Sequence, residues 1–224
     1  MHDAKIIALT KPHGALAESI DHEDLVAYVA RVSNPANQMN TETAPRLLRY
    51  LIREKHWSPF EMVSITMEIT TTRDIARQIL RHRSFSFQEF SQRYANPTEA
   101  LGFVYRDVRM QDPKNRQNST PTDDAALTAW WTETQRITHD AITYAYATAL
   151  RNGIAKEVAR ALLPEGLTAS RLYMAGTLRS WIHYVQVRSG NGTQAEHAAV
   201  ALSAWERIVE VYPVLAEVSL TDTQ

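Results

Sequence analysis

The length and composition of this sequence are those of an ordinary globular protein. It has 224 residues, 44% of them hydrophobic and 22% charged, with 24 Lys and Arg against 25 Asp and Glu. This balance excludes disorder, collagen-like structure and a global attraction for polyanions. Because there is no cysteine, zinc–thiolate sites, iron–sulfur clusters and cysteine-nucleophile mechanisms are excluded as well.

Neither the first residues nor the interior of the sequence indicates export or a membrane. The first residues lack the apolar region of a signal peptide, and no stretch approaches the ~18 consecutive apolar residues of a membrane span. We therefore expect a cytoplasmic protein with no membrane partner.

Hydrophobic periodicity and turn residues predict a series of strands and helices. In chain order these are a strand over 5–9, helices over 21–33 and 43–55, a strand over 63–70, a helix from Arg73, a strand over 103–108, a surface loop over 111–124, a long helix over 123–152 ended by Gly153, a short helix over 154–163, a strand over 167–176, and helices over 178–188 and 193–211. No repeat or linker divides them. The prediction is one helix-rich α+β domain over residues 1–224.

Glycine usage limits how this chain could bind a nucleotide. There are seven glycines, and Gly190-Asn191-Gly192 is not followed by a third glycine three residues on. A dinucleotide fingerprint and a P-loop are both absent. Any nucleotide or flavin would therefore be held by side chains.

The densest polar segment runs from Arg73 to Tyr94. In a helix, Arg73, Arg77 and Arg81 would share one face, and the cations of Arg81-His82-Arg83 fall where the helix should end. Three phenylalanines follow among polar residues, at positions 85, 87 and 90, and Ser86-Phe-Gln-Glu89 fits a capping box. Arginines and aromatics suit a planar phosphorylated ligand, with the rings covering its plane, and equally suit single-stranded nucleic acid. The residues alone favour phosphate binding and leave its purpose open.

One arrangement in this segment is specific. Arg81-His82-Arg83, seven further residues, Ser91 and then Gln92-Arg93-Tyr94 is similar to the signature of the flavin-dependent thymidylate synthases. Other elements resemble that family in the same order: Ala30–Ser33, His56–Glu61, Ala76–Gln78, Glu157–Arg160 with Pro164, Leu178–Ser180, Arg188, and Gln194-x-Glu196. The segment 111–124 has no clear counterpart in the family pattern.

The resemblance implies a fold and a reaction. The fold would have a central, mostly antiparallel sheet. The enzyme would make dTMP from dUMP, taking methylene from methylenetetrahydrofolate and hydride from FAD reduced by NADPH, as a homotetramer with shared active sites. Since the chain has no cysteine, uracil C5 would be activated by a cation that stabilises negative charge on the ring, and not by a thiolate.

The resemblance also assigns site residues. Arg188 would be the catalytic cation, and Ser91 would be a hydrogen-bonding ligand, because no neighbouring base is evident to activate it. The implied dUMP contacts are Gln78, Arg81, Gln88, Glu89, Ser91, Arg93, Arg160 and Arg188. The implied FAD contacts are Ser33, Ser58, Glu61, Arg81, His82, Arg83, Glu89, Thr177, Arg179 and His183, with His56 near flavin and folate. No metal site is expected, since there is no His-Glu-x-x-His pair or carboxylate cluster.

A different flavoprotein with the same fold is one alternative, because a fold does not determine its chemistry. Two non-enzyme classes of protein are also alternatives. A single-stranded RNA- or DNA-binding module could use segment 73–94, although this is only about one tenth of the chain and the net charge of −1 gives no support. A structural helical oligomer would explain the predicted helices that carry Trp130, Trp131, Trp181 and Trp205, through core or interface packing. It would not explain the ordered signature. A flavin spectrum of the purified protein would decide against both.

Overall fold

Four antiparallel strands form the central sheet in the computed structural model, which describes residues 1–220. Their spatial order is β1-β2-β6-β3, and a separate hairpin is formed by β4 and β5. The strands are β1 (Asp3–Leu9), β2 (Ser64–Thr72), β3 (Ser86–Glu89), β4 (Arg109–Gln111), β5 (Ser119–Pro121) and β6 (Ala169–Thr177).

Eight α-helices accompany the sheet in this part of the chain. They are α1 (His22–Ala30), α2 (Ala44–Arg53), α3 (Arg73–Ile79), α4 (Pro97–Ala100), α5 (Ala125–Arg151), α6 (Lys156–Ala159), α7 (Leu178–Arg188) and α8 (Ala195–Val211). Short 3-10 turns lie between them. The prediction of a helix-rich α+β fold with an antiparallel sheet is confirmed. No helix among residues 1–220 is long and apolar enough to cross a membrane.

The core lies between the sheet and helices α3, α7 and α8. In β2, Ile65, Met67 and Ile69 alternate with polar residues and are fully buried, as period-two patterning predicts. Trp181 of α7 is buried against them, and its Nε1 donates to the Ile65 carbonyl at 3.1 Å. Trp181 is thus a core residue, whereas Trp130 on α5 is exposed.

The predicted strand over 103–108 is wrong. Only Phe103 forms a bridge, to Thr168. Further along, the backbone groups of Arg106 are bound by side chains of α5: its N–H donates to Gln135 Oε1 and its carbonyl accepts from Trp131 Nε1, both at 2.8 Å. Because these side chains satisfy the backbone, the segment needs no strand partner.

Two local predictions are corrected by strand pairing. The segment 111–124 is not simply a loop, because its first residue, Gln111, ends β4 and Ser119–Pro121 form β5 of the same hairpin. The sequence Ser86–Glu89 is not a capping box but strand β3, which pairs with Ala175 to Leu172 of β6. Edge-strand pairing depends on a distant segment, so the local motif could not reveal it.

Gly176 provides a test of the packing where β6 meets the aromatic core. A Cβ there would lie 2.6 Å from Cε1 of the buried Phe85 ring. We expect Gly176→Ala to lower the free energy of unfolding by about 1–3 kcal/mol, because the ring must move in a packed core. Urea denaturation measures it. Gly166→Ala is the matched control, since nothing lies within 4 Å of its Cβ position; equal effects of the two substitutions would contradict the packing.

Candidate active site

The predicted site residues lie mainly where two strands run directly into helices. Strand β2 ends at Thr72 and α3 begins at Arg73; β6 ends at Thr177 and α7 begins at Leu178. Thr177 caps α7, its Oγ1 accepting from the Ser180 N–H at 3.2 Å. Because β2 and β6 are antiparallel, α3 and α7 start at opposite ends of the sheet. Their C-terminal ends meet.

That meeting point joins two residues that the sequence places 106 positions apart. Arg188, in the last turn of α7, donates from Nε to His82 Nε2 at 2.9 Å. The His82 ring also stands edge-on to Tyr184, with centroids 4.9 Å apart. Burial, with the positive charge of Arg188, lowers the pKa of His82 to about 4. At neutral pH His82 is therefore a neutral acceptor that orients the Arg188 guanidinium.

A buried hydrogen-bond chain adjoins His82. Tyr184 Oη lies 3.1 Å from His197 Nε2, and His197 Nδ1 lies 3.2 Å from Gln78 Oε1. Both Tyr184 and His197 are fully buried. Burial and the positive charge of Arg188 lower the pKa of His197 to about 3, so this ring is also neutral near pH 7.

The hydrogen-bond chain continues from the nitrogen of the Gln78 side-chain amide. Gln78 Nε2 donates to Gln194 Oε1 at 2.8 Å, and Gln194 Nε2 donates to Glu196 Oε2 at 3.0 Å. Glu196 Oε1 accepts from Arg109 at 2.7 Å. Although burial alone would raise the pKa of Glu196, the hydrogen bond and charge of Arg109 lower it.

Sequence reasoning assigned no role to Tyr184, His197, Glu196 or Arg109. One signal was available: His197 lies three and four residues before buried Val200 and Ala201 of α8. A histidine on the apolar face of a helix needs buried partners. Arg109 carried no such signal, because its contact depends on the hairpin.

Two of the three phenylalanines of the polar segment, Phe85 and Phe87, belong to the core and do not form the predicted ligand wall. Phe85 is buried in the core and packs edge-on against Trp181, with centroids 4.9 Å apart. Phe87 is half-buried and packs against the same core. Arg81 lies beyond the end of α3 at Ile79, so it does not continue the helical face of Arg73 and Arg77. Both rings pack into the hydrophobic core because Phe85 directly precedes β3 and Phe87 lies within it.

A second group of predicted residues surrounds Glu89. Its carboxylate is 3.4 Å from Arg73 and 3.3 Å from Arg77, and it accepts from Ser170 Oγ at 2.8 Å. Arg73, Arg77 and Arg160 line a cleft of about 410 Å³ together with Gln92, Glu157 and Glu165. Three guanidinium groups in one cleft suit an anionic group.

The remaining signature residues lie close to this cleft in sequence. Arg93 is exposed and lies 3.4 Å from Glu157, and Gln88 is exposed on β3. The half-buried Ser91 hydroxyl accepts from the Arg93 N–H. Within residues 1–220 no imidazole or carboxylate hydrogen-bonds to it. That Ser91 is a ligand and not a nucleophile stays a prediction.

Several residues predicted to contact flavin lie near the start of α7. Arg179 pairs with Glu61 at 2.8 Å, in the 3-10 turn that Ser58 begins. His183 is exposed on α7 and Ser33 is exposed just after α1. The exposed His56 lies edge-on to Tyr50, with centroids 6.0 Å apart. The structure joins Glu61 to Arg179 directly. Among residues 1–220, neither Ser33 nor His56 makes a side-chain hydrogen bond or ion pair with these two residues.

Arg81 and Arg83 differ from the other arginines of the site. Both side chains are exposed, and within residues 1–220 neither makes a hydrogen bond or an ion pair, whereas Arg73, Arg77 and Arg179 face carboxylates. Two uncompensated guanidinium groups flank His82 and are available to an anionic ligand. The part of the chain described here holds no cluster of three or more His, Asp or Glu side chains placed for a metal ion.

His197, the buried histidine of the hydrogen-bond chain, should make the stability of the fold depend on pH. His197 has a folded pKa of about 3 and an unfolded value near 6.5, so below pH 6.5 the unfolded state binds the proton and stability falls. Between pH 7.5 and pH 5 we expect a loss of about 2 kcal/mol from this residue. Urea denaturation at both pH values would measure it. In His197→Asn this part of the loss should vanish, while His82 still contributes; parallel behaviour of both proteins would contradict the assignment.

The geometry defines an α+β protein with two groups of arginines, one around His82 and one around Glu89. It has no glycine-rich loop. The family model described as "Thymidylate synthase complementing protein" matches residues 15–214. A probable flavin-dependent thymidylate synthase of Paramecium bursaria Chlorella virus 1 is 47% identical over 215 residues, covering 96% of this chain and 97% of the viral one. A flavin-dependent thymidylate synthase of Synechocystis sp. is 49% identical with the same coverage. The chain belongs to this family, the flavin-dependent thymidylate synthases.

Solved structures agree with this membership. A UMP/dUMP methylase, PolB, from Streptomyces cacaoi, crystallised with 5-Br dUMP, has a TM-score of 0.74 at 25% identity, covering 96% of this chain and 92% of the other. The same methylase with 5-Br UMP has a TM-score of 0.76 at 23% identity and shares the fold. The predictions of family, fold and enzyme class are confirmed. The nucleic-acid-binding alternative is not supported.

Proposed function

We propose that this chain, as one catalytic domain over residues 1–224, converts dUMP to dTMP by reductive methylation. Methylenetetrahydrofolate is the carbon donor, and NADPH reduces the FAD that supplies the hydride. The observation that carries the proposal is the contact between Arg188 and His82 of the signature, in a chain that belongs to a family of flavin-dependent thymidylate synthases. The cytoplasm, which a chain without cysteine suits, is its proposed location.

The chemistry of the chain supports activation of uracil without a covalent bond to the enzyme. There is no thiolate, and no described base accompanies Ser91. Arg188 provides a fixed cation that stabilises negative charge at uracil N3 and the carbonyl oxygens, which raises electron density at C5. Neutral His82 accepts from its Nε and leaves the two terminal nitrogens for the ring.

The arginine-lined cleft supports binding of the nucleotide phosphate. We assign the phosphate to Arg93 and Arg160, beside the cleft that Arg73 and Arg77 also line. The other proposed contacts to dUMP, besides Arg188, are Gln78, Arg81, Gln88, Glu89 and Ser91. The glutamate is held by two arginines, and its negative charge keeps them from repelling one another when no ligand is present.

The donor set also fits a flavin dinucleotide. Arg81 and Arg83 offer uncompensated charge for its phosphates. Arg179, at the start of α7 and paired with Glu61, is a further proposed contact. The remaining proposed contacts are Ser33, Ser58, Glu61, His82, Glu89, Thr177 and His183, with His56 towards folate. When bound and reduced, the flavin supplies the hydride that completes the methyl group.

The proposed assembly is a homotetramer with shared active sites. It is supported by large apolar side chains left exposed on this chain, among them Tyr94 at 84%, Tyr144 at 71% and Trp130 at 60%. Exposure of Tyr94 beside Arg93 means that the proposed phosphate site is open on one side. A neighbouring subunit would cover it.

One experiment tests the function. The purified protein is mixed with FAD, dUMP, methylenetetrahydrofolate and NADPH, and dTMP is followed by chromatography, with each component omitted in turn. We expect dTMP only in the complete mixture, from a protein with a flavin spectrum and the mass of a tetramer by light scattering. Absence of dTMP with flavin bound would refute the proposal. A stable protein adduct of 5-fluoro-dUMP in the mass spectrum would refute the non-covalent route.

A further inference from the structure

We propose that Glu196 and His197, at the start of α8, are positioning residues that fix which way the Gln78 side-chain amide faces the substrate base. They do so from opposite ends of the hydrogen-bond chain Arg109–Glu196–Gln194–Gln78–His197–Tyr184. This inference rests on the proposed function, in which Gln78 contacts dUMP.

Glu196 sets the direction of the chain from one end. The carboxylate is 6% exposed and ion-paired with Arg109 at 2.7 Å, so it remains ionised and can only accept hydrogen bonds. Gln194 must therefore turn its NH₂ group towards Glu196 and its oxygen towards Gln78. The Gln194 oxygen can only accept a hydrogen bond, so Gln78 must turn its NH₂ group towards it.

His197 sets the same direction from the other end. A neutral imidazole carries one proton, on either Nδ1 or Nε2. The Tyr184 hydroxyl can donate to His197 Nε2, which leaves the proton on Nδ1, facing Gln78 Oε1 at 3.2 Å. The opposite tautomer would place two acceptors against one another. Glu196 thus sets the orientation of the Gln78 amide from one side, and His197 with its proton on Nδ1 matches that orientation from the other.

The fixed orientation has a consequence for the base. With Oε1 bound by His197 and one N–H bound by Gln194, Gln78 keeps its second N–H as a directed donor. Uracil carries two carbonyl oxygens that can accept it, whereas cytosine has an amino group in place of one of them. If the Gln78 amide were reversed, its oxygen would face a uracil carbonyl oxygen. The hydrogen bond to the base would be lost, and the two oxygens would repel each other.

The hydrogen-bond chain also gives the β4–β5 hairpin a role. Arg109 lies in β4, and its Nε donates to Ser119 Oγ of β5 at 3.0 Å. Asn118, between the strands, donates to Asn191 at 2.8 Å, just before the loop reaches Gln194. The hairpin thereby holds Arg109 against Glu196, so a segment outside the family signature helps to orient a substrate-binding residue.

Two substitutions at His197 separate the two hydrogen bonds. His197→Asn keeps a donor near the Nδ1 position and loses the contact with Tyr184. His197→Gln keeps an acceptor near the Nε2 position and loses the donor to Gln78. Both introduce a neutral amide into the same buried site, so a merely structural role would give similar losses in the two variants.

The measurements are kcat and KM for dUMP and, independently of turnover, the dUMP dissociation constant of the FAD-loaded enzyme by titration calorimetry. We expect His197→Gln to raise KM and the dissociation constant about tenfold with little change in kcat, and His197→Asn to stay within about threefold of the parent. Glu196→Gln should weaken dUMP binding about tenfold as well, since an amide no longer dictates the orientation of Gln194. Glu206→Gln, on the exposed side of α8, should change nothing.

Equal losses in the two His197 variants, or no loss in His197→Gln and Glu196→Gln, would overturn the positioning role. If His197→Gln does not fold, Glu196→Gln alone decides. If the parent binds dUMP but makes no dTMP, the proposed function fails. The dUMP dissociation constants of the variants then still test the positioning role of Glu196 and His197. If the parent makes dTMP and all variants match it, only the positioning role fails.

Discussion

Replacing Arg188 by alanine should lower the turnover of dUMP by about 10²–10³-fold, because a preorganised charge partner of the transition state is removed. The substitution leaves α7 intact, since Arg188 lies in its last turn. Its contact with neutral His82 engages only Nε. The group lost to the substrate is therefore the terminal pair of guanidinium nitrogens, which we propose faces the uracil ring. Steady-state kinetics with saturating reduced flavin and folate would measure the loss.

The comparison variants separate charge, geometry and binding. Arg188→Lys restores the charge but not the planar two-point donor, so it should recover only part of the rate. Arg93→Ala should mainly raise KM for dUMP, because a phosphate contact acts on the ground state and the transition state alike. Arg207→Ala, on the exposed part of α8 and paired with Glu210, is the control. Near-parental turnover by Arg188→Ala would end its catalytic assignment.

The sequence predicted those parts of the fold in which local patterning and packing demand the same structure. The period-two alternation of β2 and the helical stripe of α7 are buried as their spacing indicates. Helix α5 was predicted to within a few residues, since Asp124 caps its start and Gly153, with a φ of 80°, follows its end.

The parts that the sequence did not reveal depend on remote partners. The backbone around Arg106 is satisfied by side chains of α5, and β3 exists because β6 lies beside it. For the site, the family resemblance predicted individual residues, but it did not predict the side chains that contact them. His197 contacts Gln78, and Glu196 contacts it through Gln194, only because α8 packs beside α3. Phe85 packs in the hydrophobic core and is not at the site. The apolar face of α8 indicates that His197 needs buried partners, but no local pattern shows which residues those partners are.

Replacing Arg81 and Arg83 together by alanine should weaken FAD binding by about 10²–10⁴-fold. Each charge-assisted hydrogen bond to a phosphate is worth about 1.5–3 kcal/mol. Neither guanidinium has a protein partner among residues 1–220, so the loss is not offset by release of a carboxylate. Stability should change little, because both side chains are exposed. Titration of the apoprotein with FAD, followed by flavin fluorescence, would measure the affinity.

The control is the pair Arg49→Ala and Arg53→Ala, in which two exposed arginines that are already paired with Glu217 and Glu54 are removed. It makes the same change in net charge, so it separates a direct phosphate contact from a general electrostatic effect. Raising the salt concentration should weaken FAD binding in the parent more than in Arg81→Ala/Arg83→Ala, because the double variant has lost the screened contacts. Full retention of FAD by this variant after gel filtration would show that the phosphates are held elsewhere, and Arg179 would then be the cation to replace next.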